Sequence, residues 1–172
     1  IALTTRELAR MIERAGIQFL ALPDEKFDDP LGVSTGAGVI FGATGGVMEA
    51  ALRTAVEELT GEELPSVDFN DVRGTDVKVA VASGLSNARE LLNKVKNGEA
   101  DYQFIEIMGC PGGCVNGGGQ PQQPANIRNF TDIRAERAKV LYDLDVSRTI
   151  RKSHENPVIK ELYANYLGEP GS

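Results

Sequence analysis

Two apolar runs, VKVAVAS at 77–83 and YQFIEIM at 102–108, fix most of what this chain can become. The first reads as a continuous apolar strand, the type covered on both faces of a parallel sheet. Between the runs, Ala88, Leu91, Leu92 and Val95 recur at helical spacing, with Ser86 as the N-cap and Gly98 as the stop. Strand, helix and strand within about 30 residues predict a right-handed βαβ unit. The second run leads directly into Cys-Pro-Gly-Gly-Cys. Both cysteines of the chain, Cys110 and Cys114, therefore stand just past the carboxyl end of a parallel strand, where open α/β sheets place their ligands.

The flanking segments read mostly as helices. Thr4-x-x-Glu7 is a capping box, and Leu8, Met11, Ile12 and Ala15 continue it until Gly16. IQFLAL (17–22) reads as a short strand, and PDEKFDDPLGVSTGAG (23–38) as a loop too long to be a mere connector. VIFGATGG leads into a second helix, with Thr44 as N-cap, Val47, Ala51, Ala55 and Leu59 as its buried stripe, and Gly61 at its end. Ile133, Val140, Leu141 and Leu144 mark another helix. Asn156 and Pro157 are N-cap and N1 of the last, whose inner face is Ile159, Leu162, Tyr163, Tyr166 and Leu167. The expected fold class is α/β, built of parallel βαβ units with flanking helices. The strands are too few for a complete parallel sheet, and the chain runs from Ile1, almost on a helix signal, to Ser172 just after a helix. These features predict a portion of a longer domain, with an apolar face left bare where the rest would pack.

At 172 residues, 41% hydrophobic and 25% charged, the chain suits one globular domain. A net charge of −7 argues against a nucleic-acid groove. No run approaches the ~18 apolar residues of a membrane span, and no signal-peptide pattern is visible. The expected location is the cytoplasm, with the periplasm as the alternative. Two cysteines do not make a disulfide framework.

The cysteine pair itself admits three readings. A disulfide here would close a small ring of little entropic value. A redox pair would have one residue more than the usual Cys-x-x-Cys. A metal site would gain two soft thiolates, with glycines letting backbone N–H groups approach sulfur. Iron–sulfur clusters usually take four cysteines, and this chain has two. Other candidates have plainer readings. Glu106 is expected to face solvent or bond a loop, and His154 to cap or pack locally. Tyr163 and Tyr166 are expected in the core, and Asp28 and Asp29 in a solvated turn. Gly45 and Gly46 lack the rest of a phosphate-binding loop.

FIEIMGCPGGCVNGGGQP resembles the third signature of the iron-only (FeFe) hydrogenases. LTTRELARMI, DDPLGVSTGAGVIFGATGGVMEAALRTA and RKSHENPVIKELYANYLGEP extend the resemblance over nearly the whole chain, in the family's order. It implies that residues 1–172 form the C-terminal portion of a two-lobed catalytic domain. It also implies a 4Fe-4S cluster linked to a two-iron unit with carbon monoxide, cyanide and dithiolate ligands. On that resemblance Cys110 is a cubane ligand, Cys114 the bridging thiolate, and Met108 and Phe41 line the pocket of the two-iron unit. The family reduces protons to H2 or oxidises H2. Its first two signatures, Thr-Ser-Cys-Cys-Pro and Pro-Cys-x-x-Lys, are absent here. The resemblance therefore implies that this portion alone is inactive and holds no cofactor. Its expected partners are the N-terminal half of the domain, ferredoxin-type domains or carriers, and maturation factors. The rival reading is a non-catalytic iron–sulfur assembly factor of the related hydrogenase-like group.

Overall fold

The computed structural model describes residues 1–25, 33–61 and 78–169. Its centre is the expected βαβ unit. Strand β1 (Val79–Ser83) pairs in parallel with β2 (Phe104–Met108), in a register that sets Val79 against Phe104 and Ser83 against Met108. Helix α4 (Leu85–Lys96) makes the crossover. It starts immediately after the strand, with Gly84 rather than Ser86 at the cap. The Gly84 N–H instead continues the ladder to the Met108 carbonyl at 2.7 Å. Neither strand is covered on both faces. In β1 only Ala82 is buried, and Val81 is 40% exposed, so the two-sided burial expected of VKVAVAS is absent.

Helix α1 (Thr5–Arg14) begins with the anticipated capping box, Thr4 and Glu7 satisfying each other's backbone N–H groups. IQFLAL is not a strand. Its backbone closes locally in a 3₁₀ turn, Phe19–Ala21, because no partner strand runs beside it among the described residues. Leu20 on this turn is fully exposed and Phe19 is 62% exposed, in line with a bare apolar face. The end of the long loop is also helical: α2 (Gly36–Val39) is N-capped by Thr35 and runs into a 3₁₀ turn, Ile40–Gly42. Asp28 and Asp29 lie outside the described residues.

Helix α3 (Gly46–Thr60) is capped by Gly45, not Thr44. Its buried residues are Gly46, Met48, Ala50, Leu52 and Arg53, whereas Val47, Ala51 and Ala55 are half-buried and Leu59 is 77% exposed. The expected stripe is displaced because α3 packs against α2 on one side and β2 on another. The apolar core there is Ala37, Ile40 and Ala50, with Tyr142 against it.

Helix α5 (Ala125–Arg128) was not anticipated; α6 (Ile133–Val146) was. Helix α7 (Pro157–Leu162) has Asn156 and Pro157 at its start as expected, but ends in a wider π turn, Tyr163–Leu167, where Tyr166 is 81% exposed rather than core. A fully buried ion pair joins α3 to α6: Arg53 donates to both carboxylate oxygens of Asp145 at 2.8 Å. Arg53 also bonds Glu49 and the Arg151 carbonyl, and Arg151 reaches Asp145 from the other side. Burial raises the Asp145 pKa, but hydrogen bonds from Arg53 and Arg151 outweigh it and hold the carboxyl below its ordinary value. Gly36 is required at this junction, since a Cβ there would lie 1.8 Å from an Asp145 oxygen. No helix among the described residues is long and apolar enough to cross a membrane.

Candidate metal centre

The cysteine loop is shaped from below by β1. Ser83, paired with Met108 at the end of the ladder, donates its hydroxyl to the Cys110 carbonyl at 3.0 Å and accepts the Gly112 N–H at 3.2 Å. The Gly113 N–H closes a turn onto the Cys110 carbonyl at 2.9 Å, and a 3₁₀ turn, Cys114–Asn116, follows. Asn116 then ties the loop together by donating to the Pro111 carbonyl at 3.0 Å. Gly112 and Gly113 have φ of +84° and +94°, a region that penalises any side chain. Gly113 is also buried: a Cβ there would lie 2.6 Å from the Gly42 carbonyl and 2.7 Å from the Thr44 nitrogen. The loop is thus seated directly on the segment that follows Phe41.

Neither thiol is in a disulfide. Cys110 is half-buried and Cys114 exposed. Both line one cleft of about 320 Å³, together with Leu3, Thr4 and Thr5 at the start of α1 and the run Gly117–Gln120. The structure therefore brings together Cys110 and Cys114, the two ligands expected from the sequence. Phe41 lies on the 3₁₀ turn that backs the loop and is 47% exposed; Met108 is the half-buried last residue of β2. Both flank the loop, but neither lines this cleft. A larger polar cleft of about 610 Å³ runs from Asn116 to Arg134 and contains no thiol.

Glu106 does not face solvent. It is 5% exposed and accepts the N–H groups of Gly45 and Met48, each at 2.7 Å, which is the loop-bonding role expected as its alternative. It caps α3 from a neighbouring strand, where a negative charge is favoured by the helix dipole. Thr44 Oγ1, the cap expected from the sequence, is buried without a hydrogen bond. His154 packs across the fold rather than locally, with ring nitrogens 3.1 Å from Thr54 Oγ1 and 2.8 Å from Glu57 Oε2. Glu57, His154 and Glu155 converge closely enough to hold an ion, yet the Lys152 ammonium already sits 2.5 Å from Glu57 and 3.3 Å from Glu155. A second cation there would have to displace it. This cluster is a salt-bridged clasp between α3 and the Ser153–Glu155 turn.

Sequence reasoning missed the contribution of α1. The Arg6 N–H donates to the Gly119 carbonyl at 3.2 Å, and its guanidinium donates to the Gly118 carbonyl. Gly119 leaves no room for a side chain, since a Cβ would lie 2.2 Å from Thr4 Cβ. The capping box foretold the helix but not where its first turn would dock.

Two thiols in one loop, open space beside them and three glycines in the cleft lining fit a soft, sulfur-rich metal group. A family model described as "iron only hydrogenase large subunit, C-terminal domain" matches residues 1–118, and one described as "iron hydrogenase small subunit" matches 131–172. The NADP-reducing hydrogenase subunit HndD of Solidesulfovibrio fructosivorans is 53% identical over 99% of this chain and 30% of its own length. A variant of the [FeFe]-hydrogenase HydA1 from Chlamydomonas reinhardtii superposes with TM-score 0.70 at 40% identity, covering 98% of this chain and 51% of that one. Cytosolic iron-sulfur assembly component 3 of Mus musculus is 30% identical over 96% of this chain and 37% of its own. The chain thus spans about a third of those curated relatives and half of the solved hydrogenase.

Proposed function

This chain belongs to the iron-only hydrogenase family, and on that premise we propose that it forms one side of a hydrogenase catalytic centre. Cys110 and Cys114 would supply two of the four thiolates of a 4Fe-4S cluster, and Cys114 would also hold a two-iron unit bearing carbon monoxide, cyanide and a dithiolate. When bound, that cofactor supplies reversible H2 oxidation and proton reduction and carries the electrons. The chain's own residues hold and shield it. Ser83 and Asn116 set the loop, and Gly113 lets it sit on the Gly42–Thr44 backbone. Met108 and Phe41 present a thioether and an aromatic face from the two flanking segments, to exclude water around the two-iron unit.

The observation that carries this reading is the pair of free thiols in one loop, lining a shared cleft with Gly117–Gln120. This sequence holds two cysteines, so the other two thiolates come from other polypeptide, and the 172 residues alone are inactive. Maturation factors load the cofactor, and a ferredoxin-type domain or carrier exchanges its electrons. The test is an infrared spectrum of the complete polypeptide, produced anaerobically with hydrogenase maturation factors. Bands of metal-bound carbon monoxide and cyanide, lost in Cys114→Ala, are expected. Iron and sulfide without such bands would overturn catalysis in favour of the assembly-factor reading, the alternative raised by the 30% identity to the mouse assembly component.

A further inference from the structure

The run Gly117–Gln120 has its peptide planes fixed from outside, by α1. The Gly118 carbonyl accepts the Arg6 guanidinium, and the Gly119 carbonyl accepts the Arg6 backbone N–H, one of the donors a helix start leaves without an internal partner. A trans peptide is planar, with its N–H opposite its C=O. Aiming the Gly118 carbonyl at Arg6 therefore turns the Gly119 N–H the other way. Aiming the Gly119 carbonyl at Arg6 likewise turns the Gln120 N–H away, and that group is satisfied by the Gly117 carbonyl at 3.0 Å. The Gly119 N–H has no protein acceptor among the described residues, although Gly119 lines the cleft that holds both thiols. An added Cβ at Gly119 would overlap Thr4, so only glycine fits there. Arg6 Nε is buried without an acceptor, so the guanidinium's one described side-chain bond is the one to the Gly118 carbonyl.

We propose that Arg6 is a positioning residue for the Cys110–Cys114 site: it locks the Gly118–Gly119 peptide so that the Gly119 N–H is presented to sulfur in the cleft. The proposal rests on the cluster assignment above. A donor to sulfur stabilises the more negatively charged, reduced cluster and so raises its potential. The test is a redox titration of the matured, complete protein, wild type against Arg6→Met and Arg6→Lys. Arg6→Met is expected to make reduction about tenfold less favourable, a shift of about 59 mV to more negative potential for a one-electron couple. Arg6→Lys should recover part of it. The shift should persist at ~1 M salt, where the Debye length is ~3 Å, because a hydrogen-bond geometry is not screened as an exposed charge is.

A wild-type potential in Arg6→Met, or a shift abolished by salt, overturns the proposal. If Arg6→Met loads no iron, the melting temperature of the apo-protein decides. An unchanged value assigns the loss to the loop and supports the proposal; a lowered one makes Arg6 merely structural and overturns it. A wild-type protein lacking iron and sulfide instead refutes the cluster assignment, and this inference with it.

Discussion

Replacing Glu106 by Ala removes the carboxylate that ties β2 to the start of α3. Its two oxygens accept the Gly45 and Met48 N–H groups at 2.7 Å each, with the side chain almost wholly buried. Each buried donor left without an acceptor costs about 1–3 kcal/mol, so the pair costs about 2–6 kcal/mol. Loss of the anion at the helix start adds about 0.3–1 kcal/mol. Glu106→Gln keeps the shape and one acceptor but turns an NH2 toward the other donor, for about 1–3 kcal/mol. Thermal unfolding of the apo-polypeptide, followed by circular dichroism, should therefore rank Ala below Gln below wild type. At about 2–4 °C per kcal/mol for a domain of this size, the Ala variant should melt roughly 5–28 °C lower. The cysteine loop rests on the same Gly42–Thr44 backbone that Glu106 anchors, so iron loading should fall in the same order. An Ala variant melting within about 2 °C of wild type would refute the assignment of Glu106 as the cap of α3.

Three further substitutions probe the remaining contacts. Arg53→Met leaves buried Asp145 with Arg151 as its remaining cation and should cost about 3–5 kcal/mol in denaturant unfolding, whereas Arg53→Met with Asp145→Leu should recover part of it; equal losses would deny the coupling. The folded-state pKa of Asp145 is depressed below the ordinary value of 3.8. Its stabilisation is therefore full above that pH and is lost as pH falls through the lower folded value. Asp145→Asn should flatten the melting temperature across that acidic window, and an unchanged acid slope would count against it. Gly113→Ala, with φ of +94° and backbone within 2.6 Å of the added carbon, should destabilise the apo-protein and reduce iron loading. Gly118→Ala has open space around it and should leave the apo-protein's melting temperature within about 1 °C of wild type.

What could be read from the order of residues was what neighbours in the chain decide. The Thr4–Glu7 box, the Asn156–Pro157 start, the helix stop at Gly61 and the βαβ unit each depend on hydrogen bonds or steric limits spanning a few residues, and each is present. So is the position of Cys110 and Cys114, because a parallel strand delivers its C-terminal loop to one end of the sheet. IQFLAL failed as a strand for the complementary reason, since a strand exists only beside another.

Tertiary structure alone decided which charged residues lie inside. Arg53 is buried by Asp145, 92 positions away, and Glu106 by the N–H groups of Gly45 and Met48, about 60 positions before it. Sequence periodicity assigns such residues to the surface, because an unpaired charge is too costly to bury. Arg6 is only half-buried, but it too finds its partners on the glycine run, more than 110 residues downstream. The chain determined by itself that two thiols would share a turn at the end of a strand. The fold determined what surrounds them, because burial of a polar group depends on its partner, and these partners meet only when distant segments pack.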